Sequence, residues 1–116
     1  MAISAARHVF INLTGDYVAN YAFDAAVNSA SPGSVTTHNL SSGANTITVP
    51  VGFTVKGATI IPPSTNTQAI TLKGIAGDTG IVISSTDPTS IGFETAPANF
   101  VLNAGGTITG LRIIWN

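Results

Sequence analysis

Acid–base or metal chemistry in this 116-residue chain would have to begin at His8 or His38, its only two histidines, because imidazole is the side chain whose ordinary pKa lies near neutrality. Neither belongs to an H-x-x-x-H or H-x-H spacing, and the chain has no cysteine. A metal site needs three or four ligands, so each histidine reads as a strand or loop residue with a partly solvated ring. The acids Asp16, Asp24, Asp78, Asp87 and Glu94 occur singly, four of them beside Gly, Pro or Thr, which is turn chemistry. A glycosidase pair or a calcium loop would need carboxylates at defined spacings that do not occur here. No G-x-S-x-G elbow is present for nucleophilic catalysis. Gly74, Gly77 and Gly80 are spaced G-x-x-G-x-x-G, which is neither a dinucleotide fingerprint nor a P-loop, and no helix pattern follows to supply an N-terminus for phosphate. The sequence therefore predicts no catalytic residue, no cofactor and no metal.

The same glycines make sense as part of a β-hairpin. In Ala69 to Lys73, Ile70 and Leu72 alternate with Thr71 and Lys73, the period of a strand with one buried face. The glycines permit positive φ in the loop, Asp78 can accept from backbone N–H groups within its own turn, and Ile81 to Ile83 returns as the second strand. Ile70, Leu72, Ile81, Ile83, Phe100, Leu102 and Ile113 are the predicted core.

Composition sets what the surface can do. One domain of this length buries roughly two thirds of the surface it would expose unfolded. Hydrophobic residues make up 44% of the chain and charged residues 8%, against about a quarter charged in an ordinary soluble domain. Ser, Thr and Asn supply the remaining polarity, and a net charge of -1 gives little self-repulsion, so the chain is expected to act as a subunit. Four Lys plus Arg cannot form a basic stripe, which argues against nucleic-acid binding. There is no 18-residue apolar run and no charged leader in MAISAARHVFINL, so neither a membrane span nor Sec export is expected. Asn12-Leu13-Thr14 and Asn39-Leu40-Ser41 match the glycosylation pattern and read as chance matches without an export signal.

In chain order, residues 1–6 read as a flexible arm and residues 7–116 as one β-sandwich domain. Val9 and Ile11 begin the strand pattern, Thr14-Gly15-Asp16 turns the chain, and Tyr17, Ala19, Tyr21 and Phe23 share a face of the returning strand, alternation outweighing the helix tolerance of the Ala-rich stretch that follows. Asn28 to Asn45 has loop composition broken by Ser34 to His38, and its length makes it a candidate contact loop. Ile47 and Val49 alternate with Thr46 and Thr48. Phe53 to Ile61 reads as a longer strand ended by Pro62-Pro63, which cannot donate to a ladder and so lie at a strand end or a sheet edge. Ile91 to Glu94 is a further short strand. Asn103 to Gly106 suits a hairpin turn between Phe100-Val101-Leu102 and a last strand with Thr107, Thr109, Leu111, Ile113 and Trp115 on one face. Eight to ten short strands at this spacing predict an all-β, antiparallel β-sandwich of jelly-roll type. Lys56, Lys73 and Arg112 fall within these runs and read as solvated. Trp115 is equally suited to a lid on the core and to an anchor against a partner.

The words SSGANTITVP, ATIIPPSTNTQAITLKGIAGDTGI, SSTDPTS and NFVLNAGGTITGLRIIW, spanning about Ser41 to Trp115, resemble small virion proteins of tailed bacteriophages. The first forty residues carry no such likeness. The resemblance implies a capsid decoration (cement) protein or a head- or tail-fibre module, assembled in the host cytoplasm and carried on the virion. Decoration proteins of this size imply a homotrimer on the major capsid protein. Met1, Ala2, Ile3, Pro62, Pro63 and Trp115 are then the candidate subunit or capsid contacts. The alternative is a fibre module that binds a host-surface glycan or receptor. Lectin sites usually carry aromatics on loops, and Asn28 to Asn45 has none.

Overall fold

A computed structural model describes the chain at Ile3–Ser4, Arg7–Leu13, Ala19–Ala25 and from residue 32 to residue 116. The regular structure of the described residues is all β: β1 (Ile3–Ser4), β2 (Arg7–Leu13), β3 (Ala19–Ala25), β4 (Pro32–Leu40), β5 (Gly43–Thr48), β6 (Gly57–Ile61), β7 (Ile70–Lys73), β8 (Ile81–Ile83), β9 (Thr89–Gly92), β10 (Asn99–Ala104) and β11 (Ile108–Trp115). One sheet has the order β1-β4-β11-β6-β9 and a second the order β5-β10-β7-β8, with β2 and β3 paired as a sheet of their own. Every pairing is antiparallel.

The order has a simple generator. β4 pairs with β11, β5 with β10, β6 with β9 and β7 with β8, so the chain from Pro32 onward is one long nested hairpin whose tip is the loop between β7 and β8. Successive pairs fall alternately in the two sheets. Rolling a hairpin in this way produces the antiparallel sandwich of a jelly roll, as the alternation predicted.

Between the sheets lies the core. Ile47, Ile70 and Leu102 from one sheet meet Ile60, Ile108, Leu111, Ile113 and Trp115 from the other, all essentially without solvent contact. Trp115 is the largest of them. Its ring tilts against Phe100 of the opposite sheet at 5.9 Å between centroids, a geometry aromatic pairs favour. Its Nε1–H donates to Thr36 Oγ1 on β4 at 2.9 Å, so its one polar atom is satisfied where water is excluded.

Corners are held by amides. Asn45 Nδ2 donates to the carbonyls of Ser41, Gly43 and Leu102, while its Oδ1 accepts from Ser41 N, fixing the β4–β5 crossing onto β10. Asn66 Nδ2 donates to Gln68 O and Ser85 O, tying the segment before β7 to the segment after β8.

The structure corrects several expectations. The expected loop over Asn28 to Asn45 contains β4, a strand of nine residues, because Ser and Thr are tolerated on a half-exposed face and β11 pairs with it. The strand expected from Phe53 starts only at Gly57: Gly52 turns the chain at a φ of 103°, and the Lys56 backbone bonds to Asn116 and Phe93. Gly105 and Gly106 do not make a hairpin turn, since β10 and β11 lie in different sheets. They make a sheet-crossing corner, where Gly105 N donates to Ala69 O and a Cβ on Gly106 would lie 2.5 Å from Gln68 Oε1. Thr107 and Thr109 do not share a face with Leu111. A bulge between Ile108 and Leu111, with Gly110 at a φ of 83°, turns both Ile108 and Leu111 inward and leaves both threonines exposed. Asn39 Oδ1 accepts from Gly110 N at 3.0 Å, so the asparagine of the second glycosylation pattern serves the bulge.

At the start of the chain the expected hairpin is present, with Val9 opposite Phe23 and Ile11 opposite Tyr21, and its strand continues through Ala25. It is not laced into either sheet of the sandwich. Ile3 and Ser4, within the expected arm, pair with Gly33 and Pro32. Met1, Ala2, Ala5, Ala6 and the turn Thr14-Gly15-Asp16 lie outside the described residues.

Candidate functional site

The loop at the tip of the nested hairpin is closed on itself. Asp78 Oδ2 accepts from Gly74 N at 3.1 Å and Ile75 N at 3.0 Å, and Asp78 N donates back to Ile75 O. The N–H groups that a phosphate would need are thus held by a fixed carboxylate. Of the three loop glycines only Gly80 has a positive φ, 75°, and a Cβ there would lie 2.6 Å from Leu72 O. Asp78 and Gly80 hold the loop's shape.

His38 sits half-buried on β4, its Nε2 at 2.8 Å from Thr36 Oγ1. That hydroxyl already accepts from the Trp115 indole, so its own proton points to His38 Nε2 and favours the neutral ring protonated at Nδ1. Burial lowers the His38 pKa in the same direction, because desolvation penalises the charged form. Among the described residues no three His, Cys, Asp or Glu side chains come together in a way that could hold a metal ion. Lys56 and Arg112 are exposed, and Lys73 lies along the hairpin with Nζ near Ala76 O at 3.4 Å.

The sandwich is unequal at its two sides. β8 and β9 are the terminal strands of their sheets and lie at the same side. Between them runs a cavity of about 520 Å³ lined by Leu72, Ile81, Ile91, Phe93, Pro97 and Phe100, with Lys73, Gly74, Asp78 and Gly80 at the rim. Ile81 stands opposite Leu72 in the ladder and shares the inward parity, yet 68% of it is exposed. This corrects its place in the predicted core, whereas Ile70, Phe100, Leu102 and Ile113 are buried and Leu72 and Ile83 pack partly against them. The physical reason is that β9 spans only Thr89–Gly92 and leaves nothing opposite Ile81. Ile75 and Val82 are also exposed, so the groove opens into an apolar patch.

Among the proposed contacts, Trp115 is fully buried and takes the core role; Pro62 is buried and Pro63 half-buried just past the end of β6. Trp115 and Pro62 therefore have no surface to offer a partner. Ile3 is in β1, and Met1 and Ala2 lie outside the described residues. The Ile75, Ile81 and Val82 patch was missed by alternation alone. A signal was present in Ile81-Val82-Ile83, three consecutive apolar residues, which place one on the outer face whatever the register.

No protein-family model matches the chain, and no curated protein or solved structure is significantly similar to it.

Proposed function

We propose that this chain is a structural virion protein of a tailed bacteriophage, a homotrimeric capsid decoration protein that binds the assembled shell and bridges its major capsid subunits. The observation that carries the reading is the apolar patch of Ile75, Ile81 and Val82 around an open groove, on a chain with only 8% charged residues. Such a surface suits protein contact, since monomers rarely expose contiguous apolar area. The sequence words that resemble phage virion proteins build the two-sheet body, from the Asn45-stapled corner through the β7–β8 tip to β11. In this reading the protein strengthens a shell by being a rigid, weakly charged wedge, and it carries out no reaction.

The test is addition of the purified protein to shells that lack it, followed by sedimentation and by heating. Saturable co-sedimentation and a raised temperature of shell disruption are expected. A copy number in the hundreds, from mass spectrometry of purified virions, is expected as well. A few dozen copies or fewer would move the protein to a tail or fibre, and no binding to shells would overturn the decoration role.

A further inference from the structure

We propose that the β2–β3 hairpin of one copy lies in the groove between β8 and β9 of the next copy, so that chains join head to tail. The groove lacks a filler: Ile81 has the inward parity opposite Leu72 but is 68% exposed over a cavity of about 520 Å³. The hairpin lacks a cover. β2 and β3 hydrogen-bond to each other as an isolated two-stranded sheet, and such a hairpin is at best marginally stable in water. Its register sets Val9 opposite Phe23, Ile11 opposite Tyr21 and Leu13 opposite Ala19, so six apolar residues share one parity, while His8 opposite Asp24 and Asn12 opposite Asn20 fall on the other.

Reach selects the neighbour's groove over the chain's own. Ser4 pairs with Pro32, which roots the hairpin at the β1 edge of its sheet, whereas the groove lies at the β9 edge. Four strand spacings of ~4.8 Å put those edges about 19 Å apart. The three-residue step from Ser4 to Arg7 spans at most about 10 Å. The base of the hairpin therefore stays short of its own groove, and only its tip could arrive there. A second copy, presenting its β8–β9 side to the β1 edge of the first, receives the hairpin along its length. One edge then meets a different edge, a heterologous contact, and such contacts close into rings when the rotation permits. The inference rests on the self-association part of the proposed function and is independent of the shell.

The experiment mixes two full-length variants. Ile81→Glu places a charge in the groove at an exposed position, and Phe23→Asp places one on the apolar parity of the hairpin. By sedimentation velocity at micromolar concentration the unaltered chain is expected to form a closed oligomer and each variant to be a monomer. An equimolar mixture is expected to give a species of twice the 11.7 kDa chain mass, because one intact hairpin and one intact groove remain between the two variants. A monomeric unaltered chain, an oligomer that survives either substitution, or a mixture that stays monomeric would each overturn the proposal. The last result is also what a symmetric β8-to-β8 contact would give. Should Phe23→Asp fail to fold, the cysteine-free chain allows a second route: Ile11→Cys and Ile81→Cys, each a single variant, are mixed and oxidised. A disulfide-linked pair joining one of each supports the exchange, and its absence overturns it. Because these measurements contain no shells, their failure leaves the shell-binding test to stand or fall separately.

Discussion

Ile113 and Ile81 are the same residue type on strands of the same sandwich, both at inward parity, yet one has no solvent contact and the other is mostly exposed. Ile113 lies on β11, flanked by β4 and β6, with the second sheet behind it. Ile81 lies on the last strand of its sheet, past the end of what β9 can cover. Alternation decides which way a side chain points. Whether anything meets it there depends on the lengths and ends of other strands. The centre of this molecule is a finished core, and its β8–β9 side is a core left open.

The largest effect that tests this contrast is at Trp115. Trp115→Ala removes the fully buried ring, its contact with Phe100 and its bond to Thr36, and should cost about 3–5 kcal/mol in denaturant unfolding. A loss below about 1 kcal/mol would mean that the centre is not close-packed. Next is Asn45→Ala, which strips the β4–β5 corner of its bonds to Ser41, Gly43 and Leu102. A loss of about 1–3 kcal/mol is expected from the orphaned groups, with the strand content by circular dichroism unchanged.

A smaller effect comes from pH. His38 has a pKa lowered from its ordinary 6.5 by burial, so the unfolded chain takes up its proton more readily than the folded one. Stability is then full above 6.5, falls as the pH drops below that value and levels once the folded pKa is passed. Unfolding midpoints measured across that window should show the slope in the unaltered chain, and His38→Gln should flatten it. The smallest effect belongs to the open side. Ile81→Ala should change the stability of the dissociated chain by no more than about 0.5 kcal/mol, in contrast to Leu102→Ala at about 2–5 kcal/mol. Equal losses at the two positions would erase the distinction between the regions.

Much of this architecture is legible in the residues. The Gly74–Gly80 loop with its Asp78 carboxylate, the β7 alternation and the stop at Pro62 all depend on local stereochemistry, and each appears as read. So does the β2–β3 hairpin, where tyrosine and phenylalanine at every second place outweigh the helix tolerance of alanine. The misreadings share a cause. Gly105 and Gly106 permit a turn of either kind, and only the placement of β10 and β11 in separate sheets makes it a crossing. Thr107 and Thr109 continue a period that the Gly110 bulge interrupts, and a glycine in a strand does not announce whether it will bulge. The candidate surface was the least legible part, since Ile81 carries the signature of a core residue.

By itself, then, the sequence determined the strand class, the turn chemistry, the low charge and the inward or outward parity of most side chains, because those properties depend on neighbours a few residues away. Only the tertiary structure decided which strands pair, where the parity slips by one residue, and which inward-facing side chains find a partner. Those outcomes depend on contacts between segments as distant as Thr36 and Trp115, or Asn45 and Leu102, and no local rule carries information across that separation.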